Sequence, residues 1–561
     1  MIKIAIAILP SAKKRKLFSF FIKTIFLNIL DLVSVAYLIP AIILLLDKEK
    51  LYTIINKIGI DSSFINDKNI IIFIAILLLF YILKNLLQVK FNKNLFDFLY
   101  QLSSDISDKI IRNFIAKDYL SYQKKEKGKM INIVLMATND FCCKYLHAYV
   151  LLFSEVFILT IISCVLFYFY PFLTLGSLLV LICFSGFIYY KKKSDFKLIN
   201  STFNKTQSST NSKLINILEG YLEIKSSQNE NHFINTFNTD NRRLNTVTSK
   251  LVSTNFNYSK YLELTLIICL GVVIYFNLES PKNNVLLIAT LGALGFRLVP
   301  SLSKILTATT NIKSHSYTVK LLHDILDETT QKATNTITHF SSEIIIDKVS
   351  FEYQKNKNIV EDIEFSIKRG DFFGISGVSG IGKTTFLHLI IGLIKPNKGQ
   401  ILIDNKQIKN TGFLSFIKYV PQQPYLLSGT LLENLTMYRK DKNIDYEYLN
   451  YLCNRLDLSS MIEGLEDNYN TAIHHDSLRF SGGQKQRISL VRALYGKPDL
   501  LILDEATNQQ NKQLEIQIFD FLKELSSKNK MAVIAVSHNE SLSSYYDKTY
   551  ILKNKKLIFI A

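Results

Sequence analysis

Tryptophan is absent from the 561-residue sequence, and its six cysteines show neither metal-ligand spacing nor a paired framework. The sequence therefore gives no sign of a disulfide scaffold, and we expect free thiols in a reducing or membrane setting. Acidic residues are also few, 47 against 66 basic ones, which gives a formal net charge of +19. Without tryptophan, tyrosine must supply any aromatic belt at a membrane surface.

Hydrophobic residues make up 48% of the chain, and the long apolar blocks all lie before about residue 310. The chain is also too long for a single domain. Its basic excess could indicate a nucleic-acid partner, but Lys and Arg at the cytoplasmic ends of membrane spans explain it better. We therefore expect a membrane protein that has no nucleic-acid partner.

Six apolar blocks are each long enough to cross a hydrocarbon core of roughly 30 Å as a helix. The basic clusters Lys13–Lys16 and Lys191–Lys193 predict a cytoplasmic N-terminus and long cytoplasmic loops. The alternative, a set of buried helices in a soluble protein, would be unusual for six blocks of this length. The predicted spans cover residues 17–46, 69–89, 149–168, 172–190, 261–278 and 285–306.

The sequence thus predicts a membrane domain (residues 1–326), a polar linker (327–340) and a second domain (341–561). The second domain contains a complete G-x-x-x-x-G-K-T phosphate loop between a short apolar segment and a helical one. In that context the loop holds phosphates on backbone N–H groups and a helix N-terminus. Lys383 is placed to reach the outer phosphates, and the Thr384 hydroxyl to hold Mg²⁺. The predicted phosphate-binding residues are Gly377, Val378, Ser379, Gly380, Ile381, Gly382, Lys383, Thr384 and Thr385.

Polar residues that follow two later strands extend this predicted site. Gln422 follows the strand that ends at Val420 and is a candidate ligand for Mg²⁺ or for the attacking water. Asp504 ends an apolar strand and is placed to hold Mg²⁺. Glu505, directly beside it, is placed to polarise a water for attack on the γ-phosphate.

Three further features are each weak evidence when taken alone. His538 follows the strand 531–536 and suits the γ-phosphate, although it could be ordinary polar surface. Ser481-Gly482-Gly483-Gln484 starts a helix with a serine N-cap and two glycines, which makes a second anion site. Tyr353, near the end of the domain's first strand, is a candidate to stack on an adenine ring, although it could equally be a plain strand residue.

Taken in order, the phosphate loop, Gln422, Ser481–Gln484, Asp504-Glu505 and His538 resemble an ATP-binding cassette. Six spans fused ahead of one cassette resemble the ABC exporter half-transporters, and this likeness covers nearly the whole chain.

Within that class, three stretches are most similar to bacterial lipid-linked oligosaccharide flippases: Arg297–Ser301, Gly392–Pro396 and Gly399–Asp404.

The resemblance implies six transmembrane helices followed by an α/β P-loop ATP-binding cassette domain, with ATP and Mg²⁺ as cofactors. It also implies a dimer, most simply a homodimer, in which the phosphate loop of one copy and Ser481–Gln484 of the other enclose each ATP. Two coupling helices are expected within Asp118–Lys127 and Ile215–Ser226. The expected location is the bacterial inner membrane, with the ATP-binding domain in the cytoplasm.

The sequence departs from the family pattern at three places. The residue before Ser481 is usually Leu and is here Phe480, an apolar replacement. The preceding stretch, Thr471–Ser477, lacks the usual acidic-glycine pattern that touches the membrane domain. After Glu505 the family usually shows Ser-Ala-Leu-Asp, whereas this chain has Asn508–Asn511. Asn511 keeps the shape of the aspartate without its charge, which could slow hydrolysis.

The resemblance implies ATP-driven export or flipping of an amphipathic, anionic lipid-linked glycan through membrane lipid. Lys84, Arg297 and Lys304 lie within predicted spans, where a charge costs about 3 kcal/mol or more at a helix centre. We expect these three cations to form a basic site for an anionic head group. Lys304 could instead extend its side chain to the inner membrane surface. The alternative for Arg297 is an ion pair, with Glu155 as the leading partner.

Several other functions stay open at this stage. They are export of a peptide, a drug or another lipid, and an ATP-gated channel or regulatory membrane protein. A soluble cassette protein that acts on DNA or ribosomes fits the charge but not the spans. No protease domain precedes the first predicted span, so peptide processing is not expected.

Overall fold

Contacts divide the chain into two compact units. The first comprises Met1–Ile115 and Lys125–Thr329, and the second comprises Ala116–Lys124 and Thr330–Ala561. The short segment Ala116–Lys124, which the sequence places in the membrane domain, thus clusters with the second unit. The computed structural model describes residues 1–36, 67–117, 119–123, 126–169, 171, 206–277, 284–327, 339–408, 414–437, 444–473 and 480–561.

The described part of the chain up to residue 327 is helical. Between α5 and α6 the helix continues through two π-helical stretches, Asn132–Ala137 and Asp140–Leu146. The α-helices are α1 (Ile2–Ile8), α2 (Ser11–Ala36), α3 (Asp67–Ile115), α4 (Tyr119–Gln123), α5 (Lys127–Ile131), α6 (His147–Phe169), α7 (206–219), α8 (Tyr221–Ser226), α9 (Glu230–Asn277), α10 (Asn284–Ser314) and α11 (Ser316–Asp327).

Three helical segments among the described residues are long and apolar enough to cross a membrane: Ser11–Ser34, Ile74–Ile115 and Asp140–Val165. They overlap the first three predicted spans. The fourth predicted span, residues 172–190, lies outside the described residues, and α9 and α10 contain most of the fifth and sixth. A helical membrane domain is therefore supported, whereas the number six stays a prediction.

A buried apolar cluster holds the first unit together. Phe98 and Leu102 of α3 pack with Phe141 and Tyr145 from the second π-helical stretch, and Val319 of α11 joins them. All five side chains are almost completely buried. Because such clusters interdigitate closely, they fix how the helices of this unit pack together.

The second unit is an α/β domain whose described residues form three sheets. Their strand orders are β12-β11-β3-β10-β9-β6, β2-β1-β4-β5 and β7-β8. The strands are β1 (Glu343–Gln354), β2 (Lys357–Lys368), β3 (Phe372–Ser376), β4 (Lys398–Ile403), β5 (Lys406–Gln407), β6 (Ile417–Val420), β7 (Gly429–Thr430), β8 (Ala472–Ile473), β9 (Leu500–Asp504), β10 (Ala532–Val536), β11 (Lys548–Lys553) and β12 (Lys556–Phe559).

Helices cover the six-stranded sheet, and two apolar clusters form the core of the unit. Short 3₁₀ turns, Asn468–Asn470 and Glu540–Tyr545, complete the connections. The α-helices are α12 (Lys383–Ile391), α13 (Leu431–Thr436), α14 (Tyr446–Arg455), α15 (Ser459–Glu463), α16 (Gly482–Tyr495) and α17 (Lys512–Asn529).

Strands β3, β10, β9 and β6 run parallel in the six-stranded sheet. Parallel strands bring their carboxyl ends to one edge, which is where ligands bind in open α/β sheets. The phosphate loop follows β3, Asp504 ends β9, and His538 comes two residues after β10. The sheet therefore gathers at one edge the residues that the sequence motifs selected.

We expect Gly374→Ala in β3 to destabilise the protein by about 1–3 kcal/mol, as overpacking in a core does. An added Cβ would lie only 2.6 Å from Cε2 of the Tyr546 ring. The measurement is the thermal unfolding midpoint of the full-length protein. The matched control is Gly464→Ala, where the nearest atom to an added Cβ is a carbonyl oxygen at 3.4 Å. Equal midpoints for the two variants would contradict this prediction.

Candidate functional site

The phosphate loop lies between β3 and α12, and Lys383 is the first residue of α12. The Lys383 ammonium donates to the carbonyls of Gly377 and Val378, at 2.7 and 3.3 Å. Gly377 and Gly382 have φ angles of +148° and +113°, a region that favours glycine. The loop thus wraps around a buried lysine charge that a phosphate would neutralise.

Asp504 is buried at the end of β9. Its Oδ2 accepts one hydrogen bond from the Thr384 hydroxyl and one from the Tyr419 hydroxyl, both at 2.9 Å. Burial and the Asp504 charge raise the pKa of Tyr419, so that hydroxyl keeps its proton and donates it. Carboxylate and hydroxyl oxygens suit Mg²⁺, so Thr384 and Asp504 fit the predicted metal site.

Glu505, the next residue, has a carboxylate with contacts on both oxygens. Oε2 accepts from the Gln422 amide at 2.7 Å and from the Asn508 amide at 3.1 Å. Oε1 lies 3.2 Å from Nε2 of His538 and 3.8 Å from the Lys383 ammonium. The structure therefore brings the predicted catalytic residues Gln422, Glu505 and His538 into contact with one another.

The backbone at Glu505 has φ +51°, in the left-handed region. A non-glycine residue in this conformation is strained, and such strain is concentrated at functional sites.

Glu515 of α17 ties together the two segments that carry Glu505 and His538. Its Oε1 accepts from the Thr507 hydroxyl and its Oε2 from the Asn539 amide, both at 2.7 Å. The side chain is buried, so both bonds are shielded from water. Sequence motifs did not identify Glu515, because its role depends on two loops that only the fold brings together.

The altered segment Asn508–Asn511 joins Glu505 to α17. Asn511 is the N-cap of α17, and its side chain accepts from the Leu514 N–H at 2.8 Å. Asparagine and aspartate cap helices about equally well. Replacement of the usual aspartate therefore removes a charge while the start of the helix is kept.

Ser481 caps α16 in a reciprocal pair with Gln484, as the sequence predicts for a helix start. Gly483 accepts a hydrogen bond from the Gln510 amide at 2.9 Å. Among the described residues, no hydrogen bond connects Ser481–Gln484 to the phosphate loop of the same chain. Phe480 is buried in the core, and His474–Ser477 lie outside the described residues.

Tyr353 lies beside the phosphate loop helix. Its hydroxyl is 3.3 Å from the Thr385 hydroxyl, and its ring meets Phe351 edge-on at 4.9 Å. The side chain is 46% exposed, so part of the ring is free to stack on an adenine.

The three predicted substrate cations form one charge cluster with two carboxylates, in which Lys84 and Arg297 are buried and the Lys304 side chain is 41% exposed. Lys84 pairs with Asp31 at 2.6 Å, and Lys304 pairs with Glu155 at 3.0 Å. Arg297 lies 3.7 Å from both carboxylates. Glu155 is the partner that the sequence suggested, and Asp31 is a second partner that the sequence did not identify.

Arg297 carries the surplus charge of this cluster, because three cations face two carboxylates. Its Nη2 donates to the Asn28 side-chain oxygen at 3.3 Å. Its Nε is buried and has no hydrogen-bond partner in the described part of the protein. Lys84 and Lys304 are thus neutralised at short range, while Arg297 can bind a further acceptor.

Comparison with known proteins finds a family match within the second unit. Residues 360–508 match the model of the ABC transporter family. The chain is 27% identical over 427 residues to the pediocin PA-1 transport/processing ATP-binding protein PedD of Pediococcus acidilactici, covering 72% of this chain and 57% of that protein.

A second relative is the lacticin-481/lactococcin-DR transport/processing ATP-binding protein lcnDR3 of Lactococcus lactis subsp. lactis. It is 25% identical over 498 residues, which cover 86% of this chain and 69% of that protein. The chain thus spans little more than half the length of the first relative and about two thirds of the second.

Among solved structures, a bacterial Atm1-family ABC exporter with ATP bound superimposes with a TM-score of 0.79. The match covers 98% of this chain and 95% of that one at 16% identity, so it concerns the fold alone. The family match of residues 360–508 implies ATP binding by the second unit. The chain has the fold of an ABC exporter, with membrane helices ahead of one ATP-binding domain.

Proposed function

We propose that this protein is an ATP-driven exporter of the bacterial inner membrane, and that it exports a peptide. The observation that carries the ATPase part is the convergence of Thr384, Lys383, Asp504, Glu505 and His538 at one sheet edge. These residue types supply a metal site, a phosphate-binding cation and a base within contact of one another, as phosphoryl transfer requires.

In this mechanism Glu505 accepts the proton of the water that attacks the γ-phosphate, and its left-handed backbone aims the carboxylate out of the strand end. Gln422 and His538 orient that carboxylate through the hydrogen bonds described above. Lys383 offsets phosphate charge within the loop. Thr384 and Asp504 would hold Mg²⁺, which supplies electrostatic stabilisation of the phosphates when bound.

The working form is proposed to be a homodimer. Among the described residues, Ser481–Gln484 make no hydrogen bond to the phosphate loop of their own chain and instead contact Gln510, which supports a site completed by Ser481–Gln484 of a second copy. The N-terminus of α16, with its two glycines, suits a phosphate of the ATP that is held by the phosphate loop of the other copy.

Peptide export fits the relatives better than the lipid-linked glycan expected from the sequence. Pediocin, lacticin and lactococcin, which the relatives are named for, are bacteriocin peptides. Neither the two relatives nor the solved exporter named above is described as handling a lipid-linked oligosaccharide. The amphipathic substrate is therefore proposed to be a peptide.

The membrane charge cluster supports one detail of this proposal. Arg297 is buried, carries the surplus charge and has a free Nε. A buried unneutralised charge is costly, so an anionic group on the substrate would bind there favourably. We propose that Arg297 receives a carboxylate of the peptide, while Lys84 and Lys304 hold Asp31 and Glu155 in place.

Glu505→Gln should retain ATP binding and lower ATP hydrolysis by about 100-fold or more, because a general base is removed. The measurements are ATPase rate and equilibrium ATP binding of the purified full-length protein. Glu447→Gln, an exposed carboxylate on α14, is the control and should keep the wild-type rate. A wild-type rate in Glu505→Gln would exclude Glu505 as the base.

Asn511→Asp should raise the ATPase rate of the full-length protein. The aspartate would keep the cap on α17 and restore the charge that related cassettes carry at this position. The thermal midpoint should stay within the error of wild type, since asparagine and aspartate are equivalent caps. An unchanged rate would mean that Asn508 and the glutamines beside it already compensate.

Arg297→Gln should remove the stimulation of ATPase activity by a peptide that has a free C-terminal carboxylate. Its thermal unfolding midpoint should equal that of the wild type, because the two remaining cations and the two carboxylates form two neutral ion pairs. Glu155→Gln is the structural contrast: it leaves the three cations facing Asp31 as the one remaining carboxylate of the cluster, and should destabilise the protein by about 3–5 kcal/mol. Equal stimulation of wild type by the peptide and by its C-terminal amide would contradict the carboxylate assignment.

A further inference from the structure

Tyr419 is one of two polar residues in the four-residue strand β6, the other being Lys418. It pairs with Ile502 of β9, and its hydroxyl donates to the carboxylate of Asp504, the last residue of β9. The sequence motif starts three residues later, at Gln422, and does not include Tyr419. Among the described residues, two side chains donate to Asp504: Thr384 from the phosphate-loop helix α12, and Tyr419 from strand β6.

A row of aromatic rings connects Tyr419 to α4. The Tyr419 ring lies 5.8 Å from the His388 ring, and the His388 ring lies 5.0 Å from that of Tyr119 in α4. Both pairs meet edge to face, at 70° and 74°. Tyr119 and Leu120 also pack on the apolar core of the cassette, so α4 is seated on the same unit as the nucleotide site.

The side chains between α4 and Asp504 are in continuous contact. His388 is buried, and burial lowers its pKa, so the ring is neutral near pH 7 and acts as a rigid spacer. Protein interiors are packed as densely as organic crystals, so a shift of Tyr119 is passed to its neighbours. Thr384 and Asp504 would both hold Mg²⁺, and a Thr384 hydroxyl engaged by the metal would leave Tyr419 as the donor that orients Asp504.

We propose that Tyr419 is a positioning residue that orients Asp504 for Mg²⁺, and that α4 sets the position of Tyr419 through Tyr119 and His388. This assignment rests on the ATPase function proposed above. It predicts that a change in how α4 packs on the cassette changes the Mg²⁺ concentration that ATP hydrolysis needs. Tyr119, His388 and Tyr419 would transmit that change.

Tyr419→Phe removes the hydroxyl and keeps the ring. At fixed ATP, the Mg²⁺ concentration for half-maximal ATPase activity should rise about tenfold, as is typical when a group that orients a metal ligand is lost. ATP binding in the presence of EDTA should not change. The control is Tyr545→Phe, which removes a similar hydroxyl bond, to Asp520 at 2.8 Å on the helical side of the unit. A Mg²⁺ requirement equal to that of the control would overturn the proposal.

Tyr119→Ala tests the connection to α4 in the full-length protein. It should raise the Mg²⁺ requirement in the same direction, whereas Gln123→Ala, an exposed position on the same helix, should not. If Tyr119 acts through the Tyr419 hydroxyl, its effect should disappear in a Tyr419→Phe background. Independent effects that multiply in the double variant would overturn the connection.

The two levels of the proposal fail in different ways. A wild-type protein without Mg²⁺-dependent ATPase activity would overturn both the proposed function and the role of Tyr419. A wild-type protein that hydrolyses ATP, together with an unchanged Tyr419→Phe variant, would overturn the positioning role alone.

Discussion

The nucleotide site depends on the burial of one negative charge, the Asp504 carboxylate at the end of β9. A charge inside a protein is tolerated only when donors or opposite charges surround it. Here the donors are Thr384 and Tyr419, which come from α12 and β6. The hydrogen bonds to Asp504 therefore hold α12, β6 and β9 together. Glu505 follows Asp504 directly, so the same bonds also fix the position of Glu505.

Around this carboxylate, hydrogen bonds from neighbouring elements hold the loops that carry the other residues of the site. Glu515 joins the loop after Glu505 to the loop after His538, and Gln422 reaches Glu505 from the end of β6. Each loop is therefore held by a side chain from a neighbouring element. Such cross-bracing keeps reacting groups in register, which is the main protein contribution to phosphoryl transfer.

The sequence predicted the parts of this site that are encoded locally. The phosphate loop, Asp504-Glu505 and His538 each follow an apolar strand, and parallel strands bring such positions to one edge. Tyr419 and Glu515 were missed, because nothing near them in sequence shows which loop they contact. In the membrane unit, Lys84 and Arg297 were noticed as costly charges, but the pairing with Asp31 depends on helix packing. The ATP motifs do not encode the substrate, so the expectation of a glycan rested on a resemblance alone, and a peptide is proposed in its place from the relatives.

The seating of α4 has a consequence for how this protein can be divided. Ala116–Lys124 clusters with the cassette although more than 200 residues of the other unit follow it. The two units are therefore interleaved along the chain, and no single cut separates them. A cassette expressed from the linker onward would lack Tyr119 and Leu120, so the ring of His388 and the apolar surface beside it would meet water. By the same reasoning, a cassette transferred to a related exporter would pack correctly only if the α4 of that exporter has an aromatic residue where Tyr119 stands. Natural recombination at the linker would thus be constrained by one tyrosine far upstream of the junction.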